Sequence, residues 1–429
     1  VSADPICNSS MPPGSGYIIQ ICISAPANNA TLNGTIPVNI TATITGTSTG
    51  IGSLQTYLNG QYLLTDFASP YSFNLPTDHF VDGSYTLSVR AVMRDTNLSD
   101  YTNLNFTFSN GLTTPPVNTN SFTIHTPSGA AGQPLIVAAT GDGASGEWPQ
   151  VSDMIAGWNA QLFLYLGDVY NKGTYTEFLN WYGTPSTYFG QLRNITNPIV
   201  GNHEYENGSA PGYFEYWDNV PNYYSYNAGG WHFIALNSTS EYNQLTPGKP
   251  QYTWLEQDLQ NNTAECTIVY MHHPIFNIGP QGVANYMAAL WPLLVNNGVD
   301  LVLTGHDHNY QRWTALDANG NPSPSGTVQI VAGGGGHGIR GFVASDPRML
   351  VGYDTSPIGL GSLRLELNTH GANLQYLNYQ GSVIDSTAIG CNSTHVDTTP
   401  PSAPTSLTTT VNSGYVNLNW LQSFDNVGI

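Results

Sequence analysis

The 429-residue chain holds 28 Asp and Glu against 9 Lys and Arg, a formal charge of −19, yet only 9% of its residues are charged. So few basic side chains argue against a polymeric nucleic acid partner, because backbone phosphates need cations to neutralise them. Disorder is excluded as well, since the chain is 40% hydrophobic with 26 Tyr and 9 Trp. The length predicts two or three domains rather than one core. Asn, Ser, Thr and Tyr replace charge at the surface, a composition whose charge changes little on acidification. No apolar run approaches the roughly 20 residues that a membrane helix needs. The expectation is a secreted protein, read from Val1 as a chain whose signal peptide has been removed.

In chain order, residues 1–20 read as a tethered amino-terminal tail. From 21 to 110, short alternating segments such as VNITATIT, SYTLSVRAVM and LNFTFS are separated by turn residues, including Asn59-Gly60 and Asp82-Gly83. With no helical period, they predict an all-β sandwich of immunoglobulin type, and the segment resembles the bacterial Ig-like modules carried by secreted enzymes. Residues 111–121 are a Pro/Asn/Thr-rich linker. From 122 to 390, strands alternate with helical patterns at 151–161, 174–182, 250–261 and 283–297, which predicts a layered α/β domain, a sheet sandwich flanked by helices. Residues 391–429 resemble the first third of a fibronectin type III module. They either continue into further chain or complete a neighbouring molecule by strand addition, which would give self-association through the carboxyl-terminal strands.

Eleven N-x-S/T sequons, at Asn8, Asn29, Asn33, Asn39, Asn97, Asn105, Asn194, Asn207, Asn237, Asn261 and Asn392, are candidate glycosylation sites and favour an extracellular protein. The four cysteines agree. Cys7 and Cys22 flank a Pro/Gly-rich stretch that a disulfide could staple, and Cys266 and Cys391 could join core to tail; sequence does not fix the pairing.

Chemistry concentrates where short apolar runs stop. PLIVAAT leads to Gly141-Asp142, LFLYL to Gly167-Asp168-Val169-Tyr170, and NPIV to Gly201-Asn202-His203-Glu204. TIVYM leads to His272-His273-Pro274, and DLVLT to Gly305-His306-Asp307-His308. Such runs read as buried strands, and ligands gather outside the carboxyl ends of strands in open α/β sheets. Taken singly, Asp142 and Asp168 would each read as a helix cap. Five blocks in order, each after an apolar run, point instead to one metal site.

The set GD…GDVY…GNHE…HHP…GHDH resembles the metallophosphoesterase superfamily, and within it the purple acid phosphatases and their bacterial relatives, over about residues 130–390. That resemblance implies two metal ions bridged by Asp168. Asp142 and His308 would bind the first and Asn202, His272 and His306 the second, while His203 would protonate the leaving oxygen. Ala144 stands where many superfamily members have a His after the first Asp; acid phosphatases lack that His too and use a tyrosinate on a ferric ion. Here the tyrosine, Tyr170, follows Asp168 at +2, one residue short of the family's spacing. It is either the ferric ligand or a packed or substrate-facing aromatic; Fe(III) with a divalent Fe, Zn or Mn follows from the first reading and two divalent ions from the second. His273 would bind phosphate or serve a structural hydrogen bond. His337 and Arg340 are candidates for the substrate rim, and Glu204 is expected to orient a neighbouring imidazole. The implied function is hydrolysis of a small phosphate monoester by a metal-bound hydroxide. A phosphodiesterase or nucleotide hydrolase on the same core is one alternative. An extracellular structural or filament-forming glycoprotein with an inherited phosphatase domain is the other.

Overall fold

The computed structural model describes residues 4–129, 132–392, 402–412 and 415–421. Alternation of apolar and polar residues builds the amino-terminal sandwich. One sheet pairs Ile6–Ser10, Ile18–Ala25, Thr35–Thr45 and Ser72–Pro76; the other orders Ala30–Leu32, Thr102–Phe108, Gly83–Met93, Ile51–Leu58 and Gln61–Asp66. Every second residue turns inward, so Ile19, Ile21 and Ile23 of the first sheet share a core with Leu87, Val89 and Ala91 of the second. Residues 6–10, expected in a tail, are instead an edge strand in register with Ile19–Ile23, and Cys7 faces Cys22 across that pair in a disulfide.

Beyond the linker, two mixed sheets stack. The five-stranded sheet runs Leu162–Tyr165, Leu135–Thr140, Gly361–Asn368, Gly371–Asn378, Val383–Gly390. The seven-stranded sheet centres on the parallel strands Trp231–Leu236, Cys266–Met271, Leu301–Thr304 and Val328–Ala332. Cys266–Met271 is buried along its whole length, as a strand covered on both faces must be. Its Ile268 and Tyr270 face the core shared with the five-stranded sheet through Leu363 and Leu365. Val269 and Met271 face the helices, meeting Leu255, Leu259, Leu290 and Leu294. A second disulfide, Cys266–Cys391, ties this strand to the end of the last sheet strand.

Sheet outweighs helix here. The helix predicted over 250–261 forms as Pro250–Asn261, but the others are shorter. They are Gln150–Ala156, a single α-turn at Tyr175–Glu177 running into a π-turn at Phe178–Tyr182, and Leu290–Asn296 after a 3-10 turn at Asn285–Met287. The NPIV run forms no ladder strand. It lies extended beside Leu162–Tyr165, with Asn197 and Ile199 donating their N–H groups to the carbonyls of Phe163 and Tyr165. Among the described residues no helix is long and apolar enough to cross a membrane. The carboxyl end forms an antiparallel ribbon, Thr405–Asn412 with Tyr415–Leu421, whose Leu407, Val411, Val416, Leu418 and Trp420 are exposed; residues 393–401, 413–414 and 422–429 of the fibronectin-like segment lie outside the described residues.

Candidate metal centre

Strands Leu135–Thr140, Leu162–Tyr165, Cys266–Met271 and Leu301–Thr304 end at one edge of the stacked sheets, and the chain turns sharply there. Asp142, Asp168 and His306 all take left-handed backbone angles, with φ of 60°, 66° and 69°. That region is uncommon for residues with a Cβ and costs about 1–3 kcal/mol at each. The close approach also fixes Gly201, because a Cβ there would stand 2.1 Å from Asp168 Oδ1.

The turns deliver two groups of donor atoms that share a member. In one, Tyr170 Oη lies 3.0 Å from Asp142 Oδ1, 2.7 Å from His308 Nε2 and 3.2 Å from Asp168 Oδ2. In the other, His272 Nε2 lies 3.1 Å from Asn202 Oδ1, 3.2 Å from His306 Nδ1 and 3.2 Å from Asp168 Oδ2. Asp168 Oδ2 is common to both. Donors about 2.1 Å from one ion, in tetrahedral or octahedral array, stand roughly 3.0–3.4 Å from one another. His272 Nε2 keeps that spacing to its three neighbours, and the ligand atoms of Asp168, His272 and His306 all lie within 4.8 Å of one another. Tyr170 Oη keeps it to Asp142 and Asp168 and stands closer to His308. His308 to Asp142 Oδ1, at 3.7 Å, is the loosest of these pairs.

Charge points the same way. Asp142, Asp168 and Tyr170 are buried, and among the described residues no Lys or Arg pairs with them; the two carboxylates have histidines as their ion-pair partners and the Tyr170 hydroxyl as a hydrogen-bond donor. Burial and the neighbouring Asp168 carboxylate push the Asp142 carboxyl up. Burial would raise Asp168 too, but the imidazoles of His272 and His203 hold it well below the usual carboxylate range. Burial drives His306 down to about 3 and His308 to about 2, leaving neutral imidazoles with free lone pairs. His272 Nδ1 meets the Leu166 carbonyl at 2.7 Å, which assigns the proton to that atom and turns Nε2 toward the donors. Two buried acids, a buried phenol, an amide oxygen and three imidazoles fit a pair of cations.

Around the donors, His203 Nδ1 lies 2.7 Å from the Asn171 carbonyl, and its Nε2 lies 3.9 Å from Asp168 Oδ2, beyond hydrogen-bond reach. Burial opposes a charge on His203, but Asp168 and the Asn171 carbonyl raise its proton affinity overall. Glu204 does not orient an imidazole. Its carboxylate accepts the backbone N–H groups of Gly201, Asp168 and Val169, so it pins the turns rather than a ligand ring. His273 packs beside His306 and pairs its Nδ1 with Ser238 Oγ at 3.1 Å. His337 stacks on the Tyr170 ring, with centroids 3.8 Å apart. Its Nδ1 is 2.7 Å from Glu147 Oε2 but out of line for a hydrogen bond. The Arg340 side chain is exposed, and its charge reaches His306 and His308 strongly enough to disfavour their protonation.

Sequence reasoning missed Tyr165, whose hydroxyl donates to the Asp168 carbonyl at 2.6 Å and accepts from Gly143 and Ala144 N–H. Nothing in LFLYL distinguishes it from a core aromatic. Among the sequons, Asn237 is corrected. It is buried, with its amide nitrogen donating to Tyr205 and Asn222, so no glycan can be attached there in the folded chain. Asn97 and Asn392 are half-buried with amides donating to Tyr17 Oη and the Gly326 carbonyl, and the remaining eight are exposed.

Residues 124–310 match the family model of the calcineurin-like phosphoesterases, and residues 20–89 that of a bacterial Ig domain. The chain is 35% identical to purple acid phosphatase 18 of Arabidopsis thaliana over 167 residues, 37% of each chain. To the probable purple acid phosphatase 20 of the same plant it is 26% identical over 283 residues, covering 59% of this chain and 64% of that one. It thus spans less than two thirds of either relative. A purple acid phosphatase structure from yellow lupin seeds aligns over 90% of this chain and 74% of that one, at 15% identity and a TM-score of 0.48. The chain therefore carries a calcineurin-like metallophosphoesterase domain, homologous to purple acid phosphatases, behind a bacterial Ig domain.

Proposed function

We propose that this chain hydrolyses small phosphate monoesters at a dinuclear metal site, as a secreted glycoprotein. Asp142, Tyr170 and His308 would hold Fe(III). Asn202, His272 and His306 would hold a divalent Fe, Zn or Mn, and Asp168 would serve both. One observation carries this reading: Asp168 Oδ2 stands 3.2 Å from a donor of each group. Bound there, the ions would supply Lewis acidity toward the phosphoryl oxygens and acidify water as the nucleophile.

The rest of the work belongs to the chain. His203 is anchored through Nδ1, so its Nε2 is the atom available to protonate a departing alkoxide. Asn202 offers a neutral oxygen, which keeps the net charge of the site lower than a third carboxylate would. The exposed Arg340 would give the rim a positive charge for an anionic substrate, and His337 stacks on Tyr170 beside it. His273, bonded to Ser238, supports the structural reading of that residue over phosphate binding. Two disulfides favour an oxidising compartment. The exposed apolar residues of the terminal ribbon support self-association through those strands.

Metal analysis, a visible spectrum and turnover of p-nitrophenyl phosphate against bis(p-nitrophenyl) phosphate test the proposal on one sample. Iron with a phenolate absorption band and preference for the monoester is the expected result. Two divalent ions and no band would remove the ferric assignment; preference for the diester would replace the monoesterase reading.

A further inference from the structure

One carboxylate sits where the Ig-like sandwich meets the catalytic layer. Glu177 is fully buried, and five donors converge on it. Three are backbone N–H groups of the segment that follows Tyr170. Asn171 reaches Oε1 at 2.7 Å, and Lys172 and Thr174 reach Oε2 at 2.9 and 3.1 Å. The other two come from the sandwich strand Gln61–Asp66, namely the Tyr62 hydroxyl and the Thr65 N–H, both on Oε1. Around this point, Thr174 Oγ1 donates to the Leu63 carbonyl at 2.6 Å and Trp181 Nε1 to the Thr65 carbonyl at 3.0 Å.

The segment so held is the one that orients the chemistry. The carbonyl of Asn171 anchors His203 Nδ1 at 2.7 Å, and Tyr170 directly precedes Asn171. A second route leaves the same stretch of the sandwich. The Phe67 ring lies 4.6 Å from that of His337, which in turn stacks on Tyr170. A spacer module would need neither connection. A carboxylate without its full set of donors costs more in a buried site than at a surface, so Glu177 cannot lose the sandwich's donors without the loop shifting.

We propose that the Ig-like module is a working part of the active site, positioning His203 through Tyr62, Thr65 and Glu177. This rests on the phosphatase reading for the role of His203, but not for the geometry. Glu177 and Tyr62 are positioning residues. Their loss misaims the proton donor, so it slows esters with poor leaving groups more than esters that depart without a proton.

The test compares the full-length protein with its Tyr62→Phe and Glu177→Gln variants. The readouts are kcat on an alkyl phosphate and on p-nitrophenyl phosphate, metal content, and hydrogen exchange at residues 171–174. Tyr62→Phe keeps its ring under Lys172 and removes only the hydroxyl. Glu177→Gln also replaces an acceptor oxygen with a donor facing N–H groups. The alkyl-to-aryl kcat ratio is expected to fall by about threefold to tenfold in Tyr62→Phe and further in Glu177→Gln, with metal content unchanged and faster exchange at 171–174. An equal fall on both substrates, or exchange unchanged in both variants, would overturn the proposal. If the unaltered protein hydrolyses neither ester, the phosphatase reading fails and exchange alone decides the positioning claim.

Discussion

Tyr170 Oη and Asp168 Oδ2 lie 3.2 Å apart although the residues are separated by a single valine. In a regular strand, side chains at i and i+2 share a face but stand well apart. The left-handed turn at Asp168, with φ of 66°, folds the chain back so that both oxygens enter one donor group. A spacing one residue short of the family's is thus compatible with a phenolate ligand.

Tyr170→Phe should therefore abolish the visible absorption of the purified protein while leaving the divalent metal bound by Asn202, His272 and His306. Colour retained in that variant would show that the phenolate comes from elsewhere.

Asp168→Asn should be the most damaging single change. Its Oδ2 serves both donor groups and its Oδ1 accepts the His203 N–H at 3.0 Å. Metal content should drop toward zero and turnover by at least about 10²–10³-fold. A variant with two metal equivalents and near-native kcat would refute the bridging role.

For His203→Ala the pattern differs. Nε2 sits 3.9 Å from Asp168, so removing the ring should spare metal content. Turnover of alkyl phosphates should fall by about 10²–10⁴-fold, the range of general-acid contributions, with a smaller fall on p-nitrophenyl phosphate. Equal losses on the two substrates would point to binding rather than proton donation.

Much of this site could be read from strand ends alone, because an apolar run that stops at Gly-Asp or Gly-His fixes where its side chain emerges. What stayed hidden depended on contacts distant in sequence. Glu177 looks like any polar residue of a short helix until Tyr62, 115 positions earlier, is brought against it. Glu204 follows His203 and was expected to serve an imidazole; only the folded turns reveal that backbone N–H groups claim it. The Ig-like strands were legible from alternation, but not their union with the catalytic layer, since neither Asn74 nor Asn180 carries a signal that they will bond to each other. Helix lengths were overestimated at 174–182 and 283–297 because period alone does not register the π-turn or the 3-10 turn that interrupts each.

Two carboxyls away from the metal site should each favour the folded chain on mild acidification. Burial pushes Asp66 in the sandwich and Asp300 beneath the second disulfide up to about 7 each, despite backbone N–H donors that favour the charged form. Their unfolded values are about 3.9. Between roughly pH 4 and 7 the folded chain thus binds more protons than the unfolded one, so their contribution is complete below about pH 4 and is lost as pH rises through 7. Carboxyls held low, such as Asp218 and Asp385 beside Arg193 and Arg312, act oppositely, but their contribution is lost only as pH falls below about 4. The neutral imidazoles of His306 and His308, held far below the usual histidine value of about 6.5, also act oppositely as pH falls through that value. The carboxyl contribution is therefore read by comparing variants with the unaltered protein. Asp66→Asn and Asp300→Asn should each make the melting temperature at pH 5 lower relative to that at pH 8 than it is in the unaltered protein, because an amide does not titrate. Thermal unfolding across this range checks the assignment: variants whose pH profile parallels that of the unaltered protein would contradict it.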